Sequence, residues 1–154
     1  MARKSSNDKL TDSRDMPKVV DLSGQPDVAR RFGGPKMLIA APLQYNAIMA
    51  KVPQGMLITS DRLREHLARE SGADFTCPLT AGIFINICAQ AAAERQDGGF
   101  PYWRTLRAGG ELNEKYPGGV AEQQKRLEAE GHTVLQRGKR RFVKDYDRSL
   151  WTID

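Results

Sequence analysis

The sequence predicts a mostly α-helical fold with small β elements, arranged as a winged helix-turn-helix with a disordered N-terminal arm. Three observations lead to this fold class. Two helical patterns joined by a short connection follow a strand-like segment in the middle of the chain. A strand-turn-strand pattern with a basic tip lies near the C-terminus. Residues 1–35 are rich in Lys, Asp, Ser, Gly and Pro, with too few apolar residues to offset the entropy of ordering.

The length and composition fit one globular domain. The chain has 154 residues, of which 40% are hydrophobic and 28% charged. We therefore expect a flexible arm over residues 1–35 and one domain over residues 36–154. No apolar run approaches the roughly 18 residues that a membrane span needs, and no apolar segment follows the basic N-terminus. These features predict a cytoplasmic protein without a membrane partner.

The two cysteines and the net charge limit the chemistry. Cys77 and Cys88 have neither a Cys-x-x-Cys nor a Cys/His spacing, which argues against a disulfide framework and a structural zinc. We expect no metal and no cofactor. The formal net charge of +5 favours polyanionic partners, although a modest excess of Lys and Arg is common on protein surfaces.

The first helical patterns surround a short strand. Residues 43–52 carry apolar side chains near helical spacing and predict a helix that ends near Pro53. Residues 55–59 predict a short strand. Thr59 and Asp61 then supply an N-cap and a first-turn acid for the next helix, which should stop near Gly72.

A longer helix is predicted from Pro78 to about Glu94, since proline suits the first turn of a helix. One side of this helix is apolar and faces the core. The opposite side is small and mildly polar, so that another surface could approach it closely. Its members are Gly82, Asn86, Ala89, Gln90 and Ala93. An ordinary helical hairpin remains the alternative to a helix-turn-helix at this point.

The C-terminal strand pattern favours a wing. Residues 133–136 and 141–144 are predicted to form strands on either side of the basic run Arg137-Gly138-Lys139-Arg140-Arg141. Basic side chains at such a tip can contact phosphates. Their contribution to the affinity for DNA depends on the salt concentration and not on the base sequence. The alternative is a solvated hairpin whose charges protect an edge strand.

Three patches resemble the O6-alkylguanine-DNA alkyltransferases. Residues 115–120 (KYPGGV), followed by a helix and residues 127–132 (LEAEGH), resemble the C-terminal signature of that family. Residues 52–59 (VPQGMLIT) are similar to its Val-Pro-x-Gly strand. The resemblance covers about residues 43–136. It implies a Tyr-x-Gly-Gly turn that lines an alkyl pocket and a second helix that enters the minor groove of double-stranded DNA.

The resemblance fails at the reactive residue. Residues 101–106 (PYWRTL) stand where the family carries Pro-Cys-His-Arg-Val, with Tyr102 at the cysteine and Trp103 at the histidine. Alkyl transfer needs a thiolate, and a phenol without a neighbouring base cannot replace it. Glu130 matches the supporting glutamate, and without the histidine we expect it to orient nothing. It is then either an ordinary residue at the C-terminal end of a helix before Gly131 or a residue that keeps an inherited polar role. The predicted degenerate pocket consists of Pro101, Tyr102, Trp103, Arg104, Tyr116, Gly118, Gly119 and Glu130.

These departures make the chain similar to the alkyltransferase-like branch, which lacks the cysteine. The similarity to that branch implies a non-enzymatic protein that binds double-stranded DNA. It also implies that the DNA carries an alkylated base as its lesion and that a repair protein is a further partner. Ser60 stands at the family's nucleotide-rotating tyrosine, and Ala81 or Gly82 at its arginine. The predicted DNA-contacting residues are Ser60, Gly82, Asn86, Ala89, Gln90, Arg137, Lys139, Arg140 and Arg141.

Two other functions remain open. The chain could be an active methyltransferase that uses Cys88 or Cys77 as the acceptor. It could also be a repurposed scaffold that binds a protein or a small molecule in the pocket around Tyr102, Trp103 and Gly118, with Tyr116 beside them. Tyr102 itself has two interpretations: it stacks on an extruded base, or it fills a pocket that accepts nothing.

Overall fold

A computed structural model describes residues 4–153, so residues 1–3 of the predicted arm and residue 154 of the predicted domain lie outside the described residues. The described chain forms six α-helices and seven short strands. In chain order they are α1 Ser6–Thr11, β1 Lys18–Asp21, α2 Pro26–Phe32, β2 Lys36–Ile39, α3 Pro42–Met49, β3 Ile58–Thr59, α4 Ser60–Ser71, β4 Phe75–Thr76, α5 Pro78–Glu94, β5 Thr105–Leu106, α6 Gly119–Ala129, β6 Val134–Arg137 and β7 Arg140–Val143.

Helices α4 and α5 begin and end where the sequence predicts. Helix α4 starts directly after Thr59 and ends at Gly72, whose φ of +73° is a left-handed conformation that favours glycine. Helix α5 has Pro78 in its first turn and extends to Glu94. Helix α3 begins one residue before the first predicted helix and ends at Met49, three residues before the predicted end at residue 52. The helical predictions for the middle of the chain are confirmed.

The strands form three small sheets. β1 pairs antiparallel with β2, and β2 pairs parallel with β4. β3 and β5 form a two-stranded parallel sheet, so the strand before α4 lies beside the segment that follows Trp103. β6 and β7 form an antiparallel hairpin with Gly138 in its turn at a φ of +62°, which confirms the predicted strand pair.

The core lies between α3, α4 and α5. Tyr45, Met49, Leu63 and Cys88 have no exposed surface, and Ile85 of α5 packs with them. The thiol of Cys88 lies 3.5 Å from the carbonyl oxygen of Pro42, so α3 covers this side of α5. Among residues 4–153, no helix has the combination of length and apolar composition that a bilayer span requires.

The N-terminal segment differs from the disordered arm that its composition predicts. The capped helix α1 packs on the C-terminal half of α5, with Leu10 buried at 5% exposure. The carboxylate of Glu94 accepts hydrogen bonds from the backbone amides of Ser6 and Asn7, at 2.7 and 3.1 Å. The Asn7 side chain donates to the Ala91 carbonyl oxygen at 3.0 Å. Polar contacts thus supply ordering energy that a count of apolar residues omits.

The anchor at Glu94 predicts acid sensitivity of the N-terminal segment. Hydrogen bonds from Ser6 and Asn7 lower the pKa of Glu94 from 4.5 to about 2. Because the folded-state pKa is depressed, the stabilisation is present above pH 4.5 and is lost as the pH falls towards 2. We expect protection factors of the α1 amides, corrected for intrinsic exchange, to decrease across this range in hydrogen-exchange measurements.

The Glu94→Gln variant should lose this pH dependence, since its side chain does not titrate. Glu128→Gln, at an exposed position on α6, is the matched control and should behave like the wild type. Equal α1 protection at pH 6 and pH 2.5 in the wild type would contradict the prediction.

Candidate nucleic-acid interface

The carboxylate of Glu130 connects three separated segments of the chain. It accepts a bidentate pair from Arg104, with Nε at 2.9 Å from Oε1 and Nη2 at 2.6 Å from Oε2. The indole Nε1 of Trp103 donates to Oε2 at 3.1 Å, and the backbone amide of Gly55 donates to Oε1 at 3.2 Å. Arg104 also donates through Nη1 to the carbonyl oxygen of Val52 at 2.7 Å. Two of the three resembling patches, residues 52–59 and 127–132, therefore meet at one side chain together with the intervening segment 101–106.

This ion pair is largely removed from water, with side-chain exposures of 14% for Arg104 and 8% for Glu130. Burial by itself would raise the pKa of Glu130. Hydrogen bonds from Arg104, Trp103 and Gly55 outweigh the burial and hold the pKa of this carboxyl below its ordinary value. The expectation that Glu130 orients nothing is wrong, because the indole of Trp103 carries an N–H donor that bonds the Glu130 carboxylate.

Tyr102 is part of the packed interior. Its hydroxyl donates to the carbonyl oxygen of Pro117 at 3.3 Å, and its ring lies edge-on to Trp103 and Tyr116 at centroid distances of 5.4 and 5.2 Å. Burial raises the pKa of the Tyr102 phenol. The hydroxyl of Tyr116 donates to the Thr105 carbonyl oxygen at 2.8 Å. Both hydroxyls donate to backbone carbonyl oxygens, and neither donates to a carboxylate or an imidazole among residues 4–153.

The Gly-Gly turn and a buried glutamine complete this region. Gly118 has a φ of +77°, and a Cβ added there would lie 2.6 Å from the Cβ of Glu122, so the turn requires glycine. Gly119 begins α6. Gln123, which the sequence reasoning missed, is fully buried. It accepts from the Asn113 amide at 2.7 Å and donates to the Trp103 carbonyl oxygen at 3.2 Å. The sequence pattern that could have indicated its burial is its position on the same face of the helix as Val120 and Leu127.

Beside Tyr102 lies a cavity of about 630 Å³ between the end of α5 and the start of α6. Tyr102 and Trp103 form one wall together with Gly118. The guanidinium of Arg126 lies over both rings, 4.7 Å from the Trp103 centroid and 5.7 Å from that of Tyr102. Of the predicted pocket residues, Tyr102, Trp103 and Gly118 line this cavity. The remaining predicted residues do not line it: Pro101, Arg104, Tyr116, Gly119 and Glu130.

A second cavity, of about 310 Å³, lies along the N-terminal half of α5. Ser60, Gly82 and Asn86 line it, so the fold brings these three predicted residues together. The sequence reasoning missed the cations around it, which come from α4 and from two loops. The charged residues of this lining are Arg64, Arg107, Lys115 and the acidic Glu114.

The middle of the predicted small face is covered, whereas Ala93 at its C-terminal end is exposed and lines the cavity beside Tyr102. Ala89 has no exposed surface and cannot contact a partner in this conformation, so its prediction is corrected. The cause is the loop before α6: Asn113 donates to the Asn86 side chain at 2.9 Å, and Gln90 donates to the Lys115 carbonyl oxygen at 2.8 Å. Two amides expected at the surface thus tie this loop to α5.

The basic hairpin tip is partly neutralised. Arg140 forms a bidentate pair with Glu111, at 2.9 and 3.0 Å, and Arg141 donates to Gln124 at 3.0 Å. The guanidinium groups of Arg137 and Arg140 lie over the Phe142 ring at 5.6 and 5.0 Å from its centroid. Lys139 is exposed and makes no ion pair among residues 4–153. The tip therefore carries less available charge than its sequence indicates.

The cysteines lie away from the cavity beside Tyr102. Cys88 is fully buried, and burial raises the pKa of its thiol to about 12. Cys77 is partly exposed and directly precedes α5. Neither residue lines the wall formed by Tyr102, Trp103 and Gly118.

No protein-family model and no curated protein sequence matches this chain. Among solved structures, the fold is similar to that of S. pombe Atl1 in complex with damaged DNA containing O6-carboxymethylguanine. The TM-score is 0.50 at 18% identity, and the match covers 73% of this chain and 94% of that chain. A structure of S. pombe ATL in complex with DNA has a TM-score of 0.49 at 16% identity, with the same coverage. The first similarity shows that the chain shares the fold of an alkyltransferase-like protein.

The Glu130 contacts predict a large stability effect. Replacing Glu130 with Ala leaves the Arg104 guanidinium and the Trp103 indole without their acceptor. We expect the free energy of unfolding to fall by about 3 kcal/mol, as for other broken buried ion pairs. Denaturant titration measures the change, and Glu128→Ala on the exposed face of α6 should change it by less than about 0.5 kcal/mol. Equal stability of the two variants would contradict this prediction.

Proposed function

We propose that this chain is a non-enzymatic protein of the alkyltransferase-like kind that binds double-stranded DNA, with alkylated DNA as its lesion substrate. In this proposal α4 and α5 form a helix-turn-helix and the β6–β7 hairpin is its wing. The observation that carries it is the cavity along α5, where Arg64, Arg107 and Lys115 surround Gly82 at the surface of the helix. Three cations against one carboxylate make this cavity attractive to a phosphate backbone.

The surface of α5 supports close contact with a groove. Nothing lies within 4 Å of the position that a Cβ would take at Gly82, so this residue is open to a partner and not packed in the protein. Arg107 joins this cavity to the hairpin, because its backbone pairs with Glu111, the partner of Arg140. The proposed contact surface therefore extends from α5 through the loop to Lys139. Asn86 and Gln90 would contact bases only after releasing Asn113 and Lys115.

The chemistry of the pocket supports a binding function without alkyl transfer. Tyr102 occupies the position where a thiolate would be needed, and its hydroxyl is bonded to a carbonyl oxygen. Cys88 is held as a buried thiol, which is unreactive because the thiolate is the nucleophile. The S. pombe Atl1 structure, which holds damaged DNA with O6-carboxymethylguanine, supports an alkylated base as the lesion.

A repurposed scaffold that binds a small molecule is the second candidate function. The cavity of about 630 Å³ beside Tyr102 favours it, since this volume suits a small ligand. Ligand-induced NMR shifts at Trp103 and Gly118, together with an absence of shifts on adding duplex DNA at low salt, would favour this candidate over DNA binding.

DNA binding predicts a salt-dependent mobility shift that depends on the cavity cations. In Arg64→Gln and Arg107→Gln, each lost phosphate contact should reduce the slope of log K against log[salt] by about 0.9. Arg62→Gln is the matched control, because Arg62 is exposed on α4 and does not line this cavity. Absence of binding to duplex DNA at low salt would rule out the proposed function.

The lesion preference has its own test. We expect a duplex with O6-methylguanine to bind more tightly than the unmodified duplex, and Tyr102→Ala to reduce that preference because it removes an aromatic wall of the pocket. Fluorescence anisotropy of both duplexes with both proteins measures the effect. Equal affinities for the two duplexes would reject lesion sensing while leaving general DNA binding intact, and a stable methyl-protein adduct would reject the non-enzymatic assignment.

A further inference from the structure

Two apolar side chains project from the exposed side of α5. Leu79 is 72% exposed and Ile83 is 49% exposed, and they lie one helical turn apart. The core-facing residues Ile85 and Cys88 are on the opposite side of the helix. We call Leu79 and Ile83 the α5 ridge. Covering such a ridge with a partner would remove apolar surface from water, which is favourable.

The α5 ridge has a basic cavity on each side. Gly82 and Asn86 face the cavity that Arg64, Arg107 and Lys115 surround. Phe84 and Ile87 face a separate cavity of about 390 Å³ beneath the N-terminal segment. Successive helical positions differ by about 100° around the axis, which places Leu79 and Ile83 between these two pairs.

The N-terminal cavity combines an apolar floor with a basic rim. Its floor contains Phe84 and Ile87 together with Met16 and Ile39. Four basic and two acidic side chains form the rim: Lys4, Lys9, Arg14, Lys18, Asp12 and Asp15.

The acidic side chains neutralise only part of this rim. Lys4 and Arg14 contact Asp12, and Lys18 contacts Asp15. Lys9 makes no ion pair within the described part of the chain. Positive charge is therefore in excess in both cavities, while the α5 ridge between them carries no charge.

We propose that the α5 ridge is an apolar wedge that enters a base step from the minor groove, and that the N-terminal segment holds the second of the two phosphate chains that border it. The inference rests on the proposed DNA binding. A minor groove is bordered by two lines of phosphates, which matches an uncharged ridge between two cationic borders. Inserted apolar side chains partly unstack a base step and bend the duplex.

Duplex DNA explains this surface better than a protein partner does. A stable protein interface buries about 800 Å² on each side around an apolar centre. The α5 ridge consists of two residues with excess positive charge on both sides, so it offers too small an apolar area for such a centre. The same charges attract a polyanion. The N-terminal segment thereby acquires a function in binding, in addition to its packing on α5.

Unstacking is measured with duplex DNA that contains 2-aminopurine, whose emission rises when it leaves the stack. We expect wild-type protein to raise the emission and the double variant Leu79→Ser, Ile83→Ser to abolish the rise, with duplex affinity about tenfold weaker. The conservative Ile83→Leu should retain the rise. Leu43→Ser is the matched control, because Leu43 is 45% exposed on α3, which packs against the core side of α5.

The second border is tested by the salt dependence of binding. Lys9→Gln should reduce the slope of log K against log[salt] by about 0.9, as expected for one lost phosphate contact. Lys51→Gln, an exposed lysine that lines neither cavity, should leave the slope unchanged. All variants are compared at matched helicity by circular dichroism, so that a folding defect is recognised.

The outcomes separate this inference from the function on which it rests. The proposed wedge is contradicted if wild-type protein binds duplex DNA without a rise in 2-aminopurine emission. It is also contradicted if the Leu79→Ser, Ile83→Ser variant retains the rise. Neither result contradicts DNA binding itself. An unchanged slope for Lys9→Gln contradicts the proposed contact between the N-terminal segment and the second phosphate chain. If wild-type protein does not bind duplex DNA at low salt, the proposed function and this inference both fail.

Discussion

A single buried carboxylate holds the centre of this molecule together. Glu130 lies at the end of α6, and its hydrogen-bond partners come from the strand entry at Gly55 and from Trp103 and Arg104 after α5. A carboxylate with so little exposure is tolerated only when its oxygens are satisfied. Because Arg104 also bonds the Val52 carbonyl oxygen, the same contacts fix where the β3–β5 sheet meets α6. The position of the Gly-Gly turn, and therefore the shape of the pocket, depends on them.

In this arrangement, the contacts that fix the shape of the pocket do not depend on a reactive residue. Trp103 gives Glu130 a donor, and its ring also forms part of the cavity wall. Buried Gln123 holds the Trp103 backbone from the other side and joins it to Asn113. The fold can thus keep a pocket of defined shape although no cysteine is among the described residues that line it. Tyr102 is held in the wall of that pocket by edge-on ring packing and one hydrogen bond.

The sequence predicts the regular elements better than the contacts between them. The end of α4 and the start of α5 follow from Gly72 and Pro78, which act locally and can be recognised from the sequence alone. Thr59 stands at the N-cap position of α4 as predicted, but its side chain makes no capping hydrogen bond. The indole contact with Glu130 was missed because a motif comparison records Trp103 as a lost histidine, whereas the shared property is an N–H donor. The burial of Ala89 was missed because the loop that covers it lies 24 or more residues further along the chain.

The N-terminal segment shows the same limit in another form. Its composition indicates disorder, yet Asn7 and Glu94 are joined across more than 80 residues by hydrogen bonds that no periodicity reveals. The positive charge of the hairpin was overestimated for a related reason: the sequence gives no sign that Glu111 faces Arg140. Each error concerns polar partners distant in sequence, which residue patterns do not specify.

Strand β1 has a consequence for the behaviour of the chain at high concentration. By pairing with β2, it covers backbone groups that would otherwise form an open sheet edge beside the apolar residues Met37, Leu38 and Ile39. The outer edge becomes β1 itself, a four-residue strand with Lys18 at one end and Asp21 at the other. Short strands with charged ends are poor templates for pairing between molecules. The N-terminal segment therefore also protects the protein against self-association into aggregates.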